Sequence, residues 1–287
     1  MSDFVAQLSL DELEAISRGD YIMNSPLGAQ GNAGAFGGVL ASLRDKGVPA
    51  AITTDGPSGI RLTACSSLLL IGTGLASSWD TELVERLYAR VGEEMKRLGS
   101  DVLLAPGMNI HRNPLCGRNF EYFSEDPLLA GKCCAAEVRG IQSNKIAVSI
   151  KHFACNNRES NRFECDSRVS ERALREIYLR GFEICVREAD PWTVMSSYNL
   201  INGNHTSTSY ELLTEMLRGE WGFKGMVTTD WGVHSAHSDE IKAGNDLKMG
   251  DGDPAELRAA YESGKLTRAD LEKSVRRVLE LALKMAD

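Results

Sequence analysis

Short β-branched and apolar runs alternate along this chain with longer stretches whose apolar residues recur three and four positions apart. The runs fall at 51–55, 101–106, 146–153, 192–198 and 225–230, with a weaker one at 245–249. The helical period is clearest over 80–98, 128–143, 170–189 and 267–285. Ser170 followed by Glu171, and Thr267 three residues ahead of Asp270, have the pattern of helix starts. Alternating strands and helices imply right-handed crossovers and a parallel sheet. Runs that are apolar throughout, rather than at every second position, imply strands covered on both faces. The spacing therefore predicts a (β/α)8 TIM-type barrel, with room for an irregular or collapsed start. Six strands are legible of the eight a closed barrel needs, and residues 67–77 are a candidate seventh. An open doubly wound sheet is the alternative, without a dinucleotide fingerprint to support it.

The whole of 1–287 reads as one barrel domain, with 1–50 as an N-terminal helix and a Gly-rich loop leading into it. That loop, GAQGNAGAFGG at 28–38, does not place its glycines between a strand and a helix at phosphate-cradle spacing, so it reads as a flexible connection. Lys and Arg total 32 against 40 Asp and Glu, a balance that argues against nucleic-acid or anionic-membrane partners. No apolar run is long enough to span a bilayer, and the first residues lack a secretory pattern. Seven cysteines, an odd number without a C-x-x-C pair, read as free thiols in a cytoplasmic protein.

The chemistry is concentrated where the strands end. The first run closes on Asp55, the second leads into Pro106, Asn109 and the Arg112 region, the third closes on Lys151 and His152, the fourth on Tyr198 and Asn199, and the fifth on Asp230, Trp231 and Gly232. In a parallel barrel all these ends open on one face, where catalysis is sited. A structural ion pair, such as Asp55 with Lys151, is the competing reading for any one of them. Asp230 suits a nucleophile or general base, the cations suit hydroxyl binding, and Trp231 and Tyr198 offer flat apolar surfaces to a sugar ring or another planar ligand. His234-x-x-His237, followed by Asp239, is too sparse a set to imply a metal site, and no metal or cofactor is expected. Cys155 reads as a packed thiol.

In order along the chain, TDGPSGIR (54–61), APGMNIHRNPLCGRNFEYFSEDP (105–127), SIKHFACNNRE (149–159), SERALREIYLRGFE (170–183), VMSSYNLINGNH (194–205), GFKGMVTTDWG (222–232) and AGNDLKMG (243–250) resemble the catalytic barrel of glycoside hydrolase family 3, β-glucosidase type. The resemblance implies retaining hydrolysis of terminal non-reducing β-D-glucosyl residues, with Asp230 as nucleophile. It implies that Asp55, Arg118, Lys151 and His152 bind sugar hydroxyls, that Met195 and Tyr198 lie close to the nucleophile, and that Trp231 lines the site. Met108 is expected near the pocket wall and Glu121 behind the residues that touch sugar. The acid/base glutamate of such enzymes comes from a second, α/β-sandwich domain, which does not follow the last helix here. The partners implied are a β-glucoside or short oligosaccharide and a complementing sandwich domain. Glu159, Glu164, Asp166 and Glu240 are the carboxylates inside the chain weighed for that role and read as solvated or structural. The isolated barrel is then expected to be weakly active or inactive. A sugar-binding scaffold without catalysis and a β-xylosidase are the alternative readings.

Overall fold

The structure, a computed structural model, describes residues 1–286. Ten strands are present: β1 (Gly19–Asp20), β2 (Ala35–Gly37), β3 (Ala50–Asp55), β4 (Val102–Leu104), β5 (Ala147–Phe153), β6 (Asp166–Ser167), β7 (Thr193–Ser196), β8 (Leu200–Ile201), β9 (Asn204–His205) and β10 (Met226–Thr229). Seven form one sheet in the order β1-β2-β3-β4-β5-β7-β10, parallel from β3 onward and antiparallel between β1, β2 and β3. The remaining three make a small separate sheet. The large sheet closes through residues 246–248. Leu247 bridges Thr228 of β10, and Lys248 bridges Arg18 beside β1, with Gly19 N–H donating to Lys248 O at 2.9 Å. Seven strands and this one segment complete the ring of a TIM-type barrel.

Five of the strands read from the pattern are present within a residue or two of their expected limits. The weak run at 245–249 contributes single bridges rather than a strand. Two expectations are corrected. Residues 67–77 hold no strand; they end in the short helix Gly72–Ala76. The Gly-rich segment is not a loose connection, because its end is β2, fully buried between β1 and β3. Two- and three-residue strands leave no hydrophobic run to detect. The glycines serve close backbone approach: a Cβ on Gly19 would lie 2.2 Å from Gly250 O, and Gly34 holds a φ of +105°.

Helices Thr81–Leu98, Pro127–Gln142 and Arg268–Ala286 match the periodic stretches. Asp80 and Asp126 cap the first two through backbone N–H groups, at Leu83 (2.9 Å) and Leu128 (2.8 Å). The stretch 170–189 begins at the predicted Ser170 cap but is interrupted by a π-helical turn at Leu174–Tyr178 before continuing as Arg180–Ala189.

Strand side chains alternate in direction, and that alternation sorts the core into two layers. Leu103, Val148, Ile150, Val194 and Val227 pack outward against the helices. Ala51, Val102, Leu104, Ala147, Met195 and Met226 belong to the other cluster, on the inward side. Asp55, Lys151 and Asp230 each lie an even number of residues from an inward-facing position of their own strand. The pleat therefore carries all three up the inside of the ring to its C-terminal rim.

Candidate active site

A cleft of about 630 Å³ opens at that rim, lined by Asp55, Arg118, Glu121, Lys151, the loop 56–62, Leu68 and Phe120. Lys151 is the centre of its charge network. Its side chain is 3% exposed, with Nζ 3.4 Å from Asp55 Oδ1 and 3.8 Å from Glu121 Oε2. Glu121, also buried, binds Arg118 Nε on its other side. A buried ammonium or carboxylate is tolerated only when it is paired and hydrogen-bonded, so these four side chains hold one another in place. Burial pushes the Asp55 carboxyl up, but Lys151, with Arg61 and Arg118, outweighs it and keeps the group below its ordinary value.

Asp230 lies at the end of β10 and is 7% exposed. Trp231 N–H donates to its Oδ1 at 2.8 Å, while its own N–H donates to Ser196 O at 3.1 Å. Oδ2 faces His152 Nε2 at 3.6 Å, and neither atom has a hydrogen-bond partner among the described residues. Burial raises the Asp230 pKa, against the opposing pull of Arg118 and Lys151. His152 is held neutral, its pKa lowered first by burial and then by the same two cations and Arg162. Asn156 Nδ2 donates to Tyr122 Oη at 3.1 Å, so the tyrosine proton is free to point at His152 Nδ1, 3.0 Å away. With Tyr122 donating to Nδ1, the imidazole proton lies on Nε2, on the side of the Asp230 carboxylate; with Tyr122 donating instead to Asn156 O at 3.5 Å, it lies on Nδ1. Asn109 fixes the His152 backbone through two bonds of 2.9 Å.

An aromatic edge completes the rim. Tyr198 lies beside Asp230, its hydroxyl pKa raised by burial and by that carboxylate. Phe163 is 4.5 Å from Tyr198 and stacks on His234 at 4.7 Å; Arg162 sits 4.3 Å over the Tyr198 ring and 3.0 Å from Glu159. The Trp231 indole donates to Ala33 O (2.9 Å) and Ile22 O (3.1 Å), tying this end of the barrel to its N-terminal strands.

Asp55, Arg118, Lys151, His152, Tyr198 and Asp230 are thus gathered at one end, and Trp231 adjoins them. The Asp55–Lys151 ion pair exists, but as a wall of the cleft. Met195 is part of the inward apolar cluster, with Leu104 and Met226. Met108 belongs to the outer layer rather than the pocket wall, within the core cluster that packs against the helices. Glu121 borders the cleft but is buried, its carboxylate held by Arg118 and Lys151. Among the other carboxylates, Glu159 joins the Arg118–Arg162 network, Glu164 faces His234 at the surface, Asp166 pairs with Arg168, and Glu240 is buried on Lys248. His237 is buried with Nε2 against Ser17 O, whereas His234 is exposed on Phe163. Cys155 is a packed thiol, pushed up to about 12 by burial. Asn109 follows the second strand as expected, whereas Tyr122, Asn156 and Arg162 carry no signal in the sequence, because neutral or loop-borne side chains leave none until their neighbours are known.

Residues 37–281 match the glycosyl hydrolase family 3 N terminal domain. Beta-glucosidase A of Butyrivibrio fibrisolvens is 47% identical over 280 residues, covering 95% of this chain and 32% of its own length. An exo-alpha-(1->6)-L-arabinopyranosidase of Bifidobacterium breve is 41% identical over 262 residues, covering 85% of this chain and 34% of its own. The structure of beta-glucosidase 3B from Thermotoga neapolitana, solved with alpha-D-glucose, superposes with a TM-score of 0.93 at 40% identity, covering 99% of this chain and 42% of that one. The chain therefore spans about a third of the length of the curated relatives it matches.

Proposed function

The chain belongs to glycosyl hydrolase family 3, and on that premise we propose that it forms the sugar-binding barrel of a retaining β-glucosidase whose nucleophile is Asp230. The observation that carries this reading is the pairing of two buried, unsatisfied atoms, Asp230 Oδ2 and His152 Nε2, beside a cleft walled by Asp55, Arg118 and Lys151. A terminal sugar ring offers hydroxyls to the ionised Asp55 and to the Lys151 and Arg118 cations, and its anomeric carbon to Asp230. Trp231 N–H restrains Oδ1, leaving Oδ2 to attack. Arg118 and Lys151 oppose the burial penalty and favour the carboxylate, which is the form that reacts. The bond from Asp230 to the anomeric carbon forms as the bond to the leaving oxygen breaks, through a transition state of oxocarbenium character.

Retention needs a second carboxyl about 5–5.5 Å from the first to protonate the leaving oxygen and then activate water. Glu159 is a poor candidate, since its carboxylate is taken up by Arg162 at 3.0 Å and lies 3.9 Å from Arg118. We propose that this group comes from a part of the enzyme beyond the barrel, in keeping with the share of the relatives' length that the barrel occupies. General acid assistance is worth roughly 10²–10⁴ in rate. The barrel alone should therefore turn over activated aryl glucosides far better than disaccharides. We also propose a cytoplasmic setting, for which the seven unpaired thiols are the support; cell fractionation tests it.

Mass spectrometry after treatment with a 2-fluoro-glucoside bearing an activated leaving group tests the central assignment. One glycosyl label on the peptide carrying Asp230 is expected, and none on Asp230→Ala. Labelling that persists in the variant would overturn the nucleophile. Parallel traps built on xylose and L-arabinopyranose read the sugar preference, a question raised by the arabinopyranosidase relative.

A further inference from the structure

Residues 231–236 run from Asp230 to the helix His237–Ala243. Lys248, on the segment that closes the ring, reaches into this loop. Its Nζ donates to Ser235 O at 2.8 Å, to Val233 O at 3.4 Å and to Glu240 Oε1 at 2.7 Å. An ammonium has three N–H donors, so all of them are committed to this loop and the helix it enters. Glu240 Oε1 also accepts from Ser235 Oγ at 2.6 Å, and that hydroxyl meets Ser207 Oγ at 2.8 Å. The Lys248 and Glu240 side chains are 10% and 0% exposed. Gly232 N–H donates to Met249 O at 3.3 Å, coupling the start of the loop to the residue after Lys248.

We propose that Lys248 and Glu240 are positioning residues: a buried, hydrogen-bonded pair that holds the 231–236 loop and thereby the aim of Asp230 and Trp231. The proposal rests on the reading of Asp230 as the reacting carboxylate, but the loop it describes can be observed without sugar. Nothing in the cleft touches this pair; its influence runs through the backbone, because Trp231 N–H is what restrains Asp230 Oδ1.

The same geometry gives the clamp a pH response. Burial pushes Glu240 up to about 7, against the pull of Lys248 and Ser235. The charged groups around it are few. Glu256, on the helix Pro254–Glu262, adds a like charge, and it accepts from Ser238. His237 is neutral, lowered to about 3 chiefly by burial. Arg18 is paired with Glu14, and Asp246 with Arg218 and Arg277. A carboxyl whose pKa is raised in the closed loop favours closure while protonated. Closure then weakens as pH rises through about 7, because an open loop lets water reach the ionised group.

Hydrogen exchange read by mass spectrometry, on the whole chain and two variants, tests this. In the wild type the protection of amides 232–236, corrected for the intrinsic rate, should fall about tenfold between about pH 6 and about pH 8. Glu240→Gln should remove that pH dependence, and Lys248→Met should expose the loop at both values while β5 and β10 stay protected. Labelling by the 2-fluoro-glucoside should lose rate at the alkaline end in the wild type and hold it in Glu240→Gln. A wild-type loop with no pH response, a Glu240→Gln loop that keeps it, or a Lys248→Met loop as protected as the wild type would overturn the proposal. If Lys248→Met does not fold, the comparison of wild type with Glu240→Gln decides alone. Exchange behaving as expected without any label would sink the glycosidase reading and leave the clamp standing; labelling of Asp230 beside a pH-insensitive loop would do the reverse.

Discussion

Arg118 illustrates how much of this site depends on one side chain answering to several neighbours. It binds Glu121, approaches Glu159 at 3.9 Å, and is first among the charges that oppose the burial penalty on Asp230. Arg118→Met should therefore raise the Asp230 pKa further. The acid limb of the labelling rate against pH should move to higher pH, with slower labelling overall; an unmoved limb would mean that Arg118 does not sense the nucleophile. Residue types at strand ends were legible early: Asp55, Lys151, His152 and Asp230 close apolar runs, where a charge is costly unless it meets a partner. Tyr122 and Asn156 were not, since the value of a tyrosine hydroxyl at His152 Nδ1 exists only once the 105–127 and 149–159 segments are folded together.

At the scale of elements, the strands most exposed to error were the shortest. β3, β5 and β10 have long apolar runs and were read within a residue or two, whereas β1 and β2 have two and three residues and no run at all. The closing segment is instead held by side chains. Asp246 is fully buried and binds Arg218 at 2.6 Å, Arg277 at 2.7 Å and Val227 N–H at 2.8 Å, joining two helices to the edge of β10. Removing one member of a buried ionic cluster strands the others. Asp246→Asn should cost about 3–5 kcal/mol of unfolding free energy, measurable by urea denaturation. A loss below about 1 kcal/mol, the scale of a surface pair, would show that the cluster is solvated.

For the whole molecule, the pH response is a balance between buried carboxyls with raised pKa values, Asp230, Glu240 and Glu137 among them, and the buried neutral His152 and His237, whose lowered values act the other way below about pH 6.5. Asp230 and Glu240 both have folded pKa values above their ordinary ones, Glu240 at about 7. Each contributes stability that is fully present below its unfolded value, about 4.5 for Glu240, and is lost as pH rises through its folded value. The contribution of Glu240 should accordingly be lost between about pH 5 and about pH 8, so the thermal midpoint of the wild type relative to that of Glu240→Gln should fall over that range. A difference between the two midpoints that rises over that range would contradict the direction assigned to Glu240. By itself the sequence determined the alternation of strands and helices, the parallel sheet, and the set of polar residues that strand ends deliver. Hydrophobic period and residue type are local properties, written wherever a run is long enough to repeat. Tertiary structure alone decided that the ring closes through Arg18 and Lys248, that a Gly-rich stretch is a buried strand, and that Glu121 joins Arg118 to Lys151. Those outcomes depend on which distant backbone or charge comes within a few ångströms, and such distances are set only when the chain has closed on itself.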